Sequence, residues 1–202
     1  MELPLTQEDK QKIETGIRGK YAKVAASPQG LFKYPTGRTG LEALKYDPEI
    51  LKTLPETALS SFCGVGNPFS QGPMNPGETV IDIGSGGGLD SLVAARMVGA
   101  EGKVVGLDLS PEMVARAYEN LKQTDLTNVV FQEFSGEELP FPDGSFDVVI
   151  SNGVFNLIPG KGRMLKEACR VLKPNGRILI ADQVLSGTLT KSPQERIESW
   201  FR

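Results

Sequence analysis

Apolar positions along this 202-residue chain follow two regimes that meet near residue 78. In the first, Ile13, Ile17, Tyr21 and Val24 recur at close to helical spacing, one stripe of an amphipathic helix that begins at Thr6. The helix is expected to end before Ser27-Pro28-Gln29-Gly30. A loop with aromatics and two cations, Phe32 to Arg38, follows. Asp47-Pro48-Glu49 pairs an N-cap residue with proline at the first helical position and predicts a short helix. Ser61 to Pro76 is rich in glycine and proline. From Thr79 onward, short β-branched runs alternate with helical patterns. Thr79 to Ile83 reads as a buried strand, broken by Gly84, Gly86, Gly87 and Gly88, and a helical pattern follows at Leu89, Leu92, Val93 and Val98. Val104 to Leu107 is the next strand, ending in Asp108. Ser110-Pro111-Glu112 opens a helix whose stripe is Met113, Ala117 and Leu121. Strands over 128–133, 146–151 and 177–183 follow, separated by a loop over 134–145 and a helix near 160–172 that buries Met164, Leu165, Ala168 and Leu172. Pro174-Asn175-Gly176 is a turn, and Ser192-Pro193-Gln194-Glu195 is a capping box opening a last helix. Alternation of this kind predicts an α/β fold, a doubly wound and mostly parallel sheet covered on both faces. The expected organisation is a helical cap or lid over 1–78, a core over 79–188 and a C-terminal helix over 189–202.

Composition narrows the chemistry. Net charge is −3 with no basic run, so a nucleic-acid footprint is not indicated. No apolar segment approaches the roughly 20 residues that span a bilayer, and the first ten residues do not form a signal peptide. Cys63 and Cys169 have no metal-ligand spacing and suggest a reducing compartment, with cytoplasm the expectation and no metal assigned. The sequence contains no histidine, which removes the commonest general base, the Ser-His pair and most zinc sites. Chemistry must then rest on carboxylate, Tyr, Lys, thiol or the substrate's own reactivity.

The stretch from Thr79 to Asp90 carries the functional signal. Strand, glycine turn and helix in that order bring backbone N–H groups to a ligand at a helix N-terminus, and glycines let the backbone itself touch it. The spacing is G-x-G-x-G with Asp82 two residues before the first glycine, unlike the G-x-G-x-x-G of dinucleotide binders. Asp108 stands where a doubly wound nucleotide site places the acid that takes both ribose hydroxyls.

On Val80–Gly88, Val104–Ser110, Glu137–Asp147 and Arg170–Gly176, the chain resembles the class I S-adenosylmethionine-dependent methyltransferases over about 110 residues, roughly 76 to 188. The resemblance implies a Rossmann-like core, S-adenosylmethionine as cofactor and a small-molecule methyl acceptor. By it, Asp82, Gly84, Ser85 and Gly86 form the cofactor turn, the glycine backbone holding the methionine part. Asp108 accepts from the ribose, and Leu109 and Met113 line the adenine, where the alternative for Met113 is plain core. Such enzymes usually carry Gly-Asp-Ala before the Glu-x-Leu-Pro stretch. Here Phe134-Ser135-Gly136 replaces it, so Ser135 and the Gly136 backbone, with Glu137 beside them, take the place of the missing Asp. Asn152, in the strand tip Ser151-Asn152-Gly153, is the candidate contact to cofactor and methyl group, its alternative being a strand-end turn residue. Tyr21, Phe32 and Tyr34 either pack the N-terminal segment onto the sheet or close the pocket.

Gly66-Asn67-Pro68, Pro76-Gly77-Glu78 and Val154–Pro159 are most similar to the arsenite methyltransferases and the related ubiquinone and menaquinone C-methyltransferases. Arsenite chemistry needs soft thiolates, usually just before Gly-Asn-Pro and just after Ser-Asn; this chain has Val65 and Gly153 there, and a third thiol is expected beyond Arg202. Cys169 is expected to be buried and inert. Arsenite methylation is accordingly the lesser alternative, beside a cofactor-holding subunit without catalysis and a nicotinamide-binding domain. The family's sheet has two further strands after the fifth. Their absence predicts an exposed edge, explained by a truncated chain or by self-association.

Overall fold

The computed structural model describes residues 5–135 and 137–184, together with Glu195, Ile197 and Trp200. Helix α1 spans Gln7–Ala26. It starts at a capping box: Thr6 Oγ1 accepts from Asp9 N, and the Asp9 carboxylate accepts from Thr6 N at 2.9 Å. It stops at Ala26 because Ser27 precedes proline and adopts extended backbone. Its apolar stripe buries Ile13, Ile17 and Val24, with Tyr21 half-buried. Three short helices follow, α2 (Gly37–Ala43), α3 (Pro48–Leu51, capped by Asp47) and α4 (Glu56–Ser60), then a 3₁₀ turn at Pro68–Gln71.

The core alternates β1 (Thr79–Ile83), α5 (Leu89–Val98), β2 (Lys103–Asp108), α6 (Pro111–Leu121), β3 (Val129–Glu133), β4 (Phe146–Asn152), α7 (Lys161–Val171) and β5 (Leu172–Ala181). All strand pairs are parallel, in the order β3-β2-β1-β4-β5. Strand order reverses between β1 and β4, which opens a crevice at their carboxyl ends. One face of the sheet packs Val80, Val104, Val148 and Ile150 against α5 and α6; the other packs Ile81, Ile83 and Val149 against α7 through Met164, Ala168 and Val171. Burial on both faces is why the strands read as nearly continuous apolar runs.

The N-terminal segment divides between two roles. Leu41, Tyr46, Leu51, Leu54, Leu59 and Phe62 belong to the same buried cluster as β1 and α5. Helix α1 instead lies over the carboxyl ends of the strands, with Leu109, Leu157, Ile197 and Trp200 against Ile13 and Ile17.

Several expectations are corrected. Leu165 is exposed and Val171 takes the buried place on α7. Cys169 is exposed rather than buried, on the solvent side of the same helix. Leu172 already begins β5, opposite Phe146, and the Pro174-Asn175-Gly176 turn is an excursion inside the strand, after which Arg177 pairs with Val148. Of the expected helix over 189–202, only Glu195, Ile197 and Trp200 lie inside the described residues. Among the described residues β3 and β5 are the sheet edges.

Gly88 caps α5 at φ 86°, and a Cβ there would lie 2.7 Å from Phe131 Cζ and 3.0 Å from the Ala117 Cβ. Gly88→Ala therefore combines a left-handed penalty with overpacking. We expect a loss of about 2–4 kcal/mol in urea denaturation.

Candidate functional site

The glycine turn is tied to the end of β2. Gly84 N and Ser85 N both donate to Leu107 O, at 2.7 and 2.8 Å, and Gly86 N donates to Asp108 Oδ2 at 2.8 Å. The other Asp108 oxygen accepts from Ser110 N at 2.9 Å, at the start of α6. Burial pushes the Asp108 carboxyl up, and these backbone N–H groups oppose the shift. A carboxylate offers about four acceptor sites, so two bonds to backbone leave capacity for an adjacent pair of hydroxyls. Gly86, at φ 53°, has open space where a Cβ would stand, whereas a Cβ at Gly84 would run into Val154. The turn therefore presents bare backbone on the side that Gly86 faces.

This backbone faces a cavity of about 530 Å³ at the switch point of the sheet. One end is walled by Asp108, Leu109, Ser110, Phe134, Ser135 and Glu137. The other is walled by Cys63, Asn152, Gly153, Val154 and Leu157. Helix α1 covers both with Lys10, Ile13, Glu14, Ile17, Arg18 and Tyr21. Two ion pairs hold it down, Lys10 to Glu137 at 2.7 Å and Arg18 to Glu133 at 3.3 Å, and Glu137 also meets Arg163 at 2.6 Å. An apolar body with a few polar groups at its ends is the usual make-up of a small-molecule site.

Of the site residues expected from sequence, Gly84, Gly86, Asp108, Leu109, Ser135, Glu137 and Asn152 line this one cavity. Gly136 lies outside the described residues. Three expectations do not match the geometry. Asp82 is 2 % exposed beneath the turn, accepting from Ser91 Oγ at 2.7 Å, and does not reach the cavity. Ser85 is buried behind the turn, close to where Gly106 lacks a side chain. Met113 is fully buried and supports the sheet end from below, so the apolar wall beside Asp108 comes from Leu109 and Phe134.

Asn152 also differs from expectation. It borders the cavity, but its amide is turned to protein: Oδ1 accepts from Val65 N (2.8 Å) and Gly66 N (3.1 Å), while Nδ2 donates to Gly66 O (2.8 Å), Asp90 Oδ2 (2.9 Å) and Tyr46 Oη (3.1 Å). Tyr46 in turn donates to Asp90 Oδ1 at 2.8 Å. Tyr46 carried no functional signal in sequence and Asp90 none beyond closing the glycine stretch, whereas the expected cap over 1–78 and Tyr21 as a pocket-closing candidate pointed to the α1 wall without naming its other residues. Among the aromatics, Tyr21 lines the cavity, and a chain of ring contacts runs from Tyr21 through Phe32 to Tyr34, whose hydroxyl donates to Cys63 O. Burial pushes the Cys63 thiol up to about 12, helped by the Asp108 and Asp90 charges and opposed by Lys20.

Residues 74–202 match the model of a family described as a methyltransferase domain. The chain belongs to that family. It is 38% identical over 197 residues to an arsenite methyltransferase of Halobacterium salinarum, covering 91% of this chain and 50% of that protein. To a demethylmenaquinone methyltransferase of Listeria welshimeri it is 41% identical over 107 residues, covering 52% and 45%. A solved S-adenosylmethionine-dependent methyltransferase from Aquifex aeolicus superposes with a TM-score of 0.56 at 26% identity, over 80% of each chain. The chain thus spans about half the length of these two sequence relatives. In this methyltransferase domain the glycine turn, the acid at the end of β2 and the tip of β4 meet around one cavity.

Asp90 gives the site a pH signature. Burial pushes its carboxyl from 3.8 to about 6, against the pull of Asn152 and Tyr46. The folded protein then holds a proton that the unfolded chain has released, so stability from this group is present below pH about 4 and is lost as pH rises to about 6. Asp90→Asn removes the titration. Between those limits the variant is expected to gain up to about 3 kcal/mol relative to wild type, read by urea denaturation at a series of pH values.

Proposed function

We propose that this chain binds S-adenosylmethionine in the cavity and transfers its methyl group to a small-molecule acceptor. The observation that carries the reading is the convergence of Asp108, with acceptor capacity left over, and the bare backbone of Gly86 on one cavity. Asp108 takes the ribose hydroxyls, Leu109 and Phe134 flank the adenine, and Ser135 and Glu137 stand at the rim. Gly84 and Gly86 approach the methionine part. When bound, the cofactor supplies a methyl on a sulfonium, and its leaving group departs as a neutral thioether that needs no proton. The chain's own contribution is to hold and orient. Ile13, Ile17 and Tyr21 of α1 shield the cavity from water, and the tip of β4 with Cys63 shapes the end where the acceptor lies. Cytoplasmic location fits this chemistry and remains part of the proposal.

Likeness to the arsenite enzyme raises a second acceptor. The two positions where such enzymes carry thiols do come together: a Cβ on Gly153 would lie 3.2 Å from Val65 Cγ1. They hold a valine and a glycine, which offer no soft ligand. Cys63 is the single thiol in the cavity wall, and its proton is held firmly. An organic acceptor fits this end better.

Calorimetry with S-adenosylhomocysteine tests the cofactor. Wild type is expected to bind, and Asp108→Ala to lose about 30-fold or more in affinity, two charge-assisted bonds being at stake. Circular dichroism and urea denaturation of Asp108→Ala control for the fold, because both Asp108 oxygens also accept backbone N–H groups, from Gly86 and Ser110. Absence of heat at millimolar ligand overturns the reading, and transfer of labelled methyl groups into a metabolite extract separates an enzyme from a subunit that only holds the cofactor.

A further inference from the structure

The residues around Asn152 form a device that the proposed reaction has not used. Its amide is saturated by the 63–66 loop on one side and by Asp90 and Tyr46 on the other. The fit is tight: a Cβ on Gly64 would collide with the Asn152 amide, and one on Gly66 would lie 2.6 Å from the Ala181 Cβ. The loop is also a partition. Cys63 faces the main cavity, while Gly64 and Val65 line a second one of about 160 Å³ with Tyr34, Ala43 and Leu44. Packing leaves the loop room to move back, and the three bonds of Asn152 to Val65 and Gly66, beside those of Tyr34 Oη to Cys63 O and Tyr46 Oη to Gly66 O, hold it forward. Asp90 is 7 % exposed, and Tyr46 and Asn152 are its hydrogen-bond partners. A buried carboxylate held only by neutral partners is an expensive way to fill space, and a fold needing only packing is served as well by an apolar residue.

We propose that Asn152, braced by Asp90 and Tyr46, is a positioning residue for methyl transfer: its amide fixes the 63–66 loop, and with it the Cys63 wall and the Val65–Gly153 contact, at the acceptor end of the cavity. This rests on the methyl-transfer reading above. It assigns Asn152 an effect on the acceptor side and not on cofactor affinity, because the Asp108 end is built from β2, α6 and the loop after β3.

The test uses the whole chain and four variants: Asn152→Ala, Asn152→Asp, Asp90→Asn, and the exchange Asn152→Asp with Asp90→Asn. In the exchange, the carboxylate at 152 still accepts from Val65 N and Gly66 N and meets an amide donor at 90. Gly66 O loses the Asn152 donor and keeps the Tyr46 hydroxyl at 3.1 Å, whose single proton it shares with residue 90. Four readouts are compared: affinity for S-adenosylhomocysteine, amide exchange at Val65 and Gly66, iodoacetamide alkylation of Cys63 against the exposed Cys169, and transfer of labelled methyl groups into a metabolite extract. Asn152→Ala and Asn152→Asp are expected to raise exchange and Cys63 alkylation by about tenfold or more and to lower transfer similarly. Affinity should stay within about threefold, and the exchange variant should recover part of the loss. Unchanged exchange and alkylation overturn the proposal, as does an exchange variant that folds but recovers nothing. Transfer falling in step with affinity also overturns it, placing Asn152 on the cofactor. Failure of wild type to bind S-adenosylhomocysteine sinks the functional reading instead, and amide exchange still decides whether Asn152 holds the loop.

Discussion

The site depends on one tether, the anchoring of the glycine turn to the last residues of β2. Gly84 N and Ser85 N share the Leu107 carbonyl, and Gly86 N closes onto the Asp108 side chain. Parallel pairing of Ile83 with Leu107 delivers the two strand ends side by side, so the turn and the acid meet without long loops. One carboxylate therefore does two jobs: it fixes the backbone that faces the cavity and keeps acceptor capacity for a ligand. The helix that follows is set by the same group through Ser110 N, and Ser110 Oγ in turn caps α6 at Met113 N.

Much of this was legible in the chain because local rules and global fold agree. Thr6, Asp47 with Pro48 and Ser110 with Pro111 each announced a helix start that the structure uses. The strands were readable since parallel strands buried on both faces leave no polar alternation to confuse them. Helices α2 and α4, at seven and five residues, were missed because neither is long enough to show a period. Leu165 and Cys169 were misplaced for a related reason. On α7 the buried face is narrow, carried by Met164, Ala168 and Val171, and a small shift in the stripe moves both residues to solvent.

In the candidate site, motif reading located the turn and Asp108 but could not distinguish residues on the cavity from those one layer beneath. Asp82 and Ser85 belong to the same stretch as Gly84 and Gly86, yet strand alternation and the turn send them inward. Asn152 illustrates the converse. A residue at a strand tip was expected to face the ligand, but the 63–66 loop, far away in sequence, satisfies its amide first. No pattern within a single segment announces a contact spanning that separation, and the same holds for Tyr46 and Asp90.

Charge ties these layers together. Asp82, Asp90 and Asp108 surround the turn, and burial pushes all three carboxyls up, with Asp90 and Asp108 each adding to the shift at Asp82. No ion pair among the described residues reaches any of them; the nearby cations Lys10 and Arg18 are engaged with Glu137 and Glu133. In a medium of low effective dielectric, such an excess is relieved most by a ligand that brings positive charge to the turn. A sulfonium does so, and the thioether left after methyl transfer does so less. On the proposed reading, the acids that shape the turn thus also favour the loaded cofactor over its spent form.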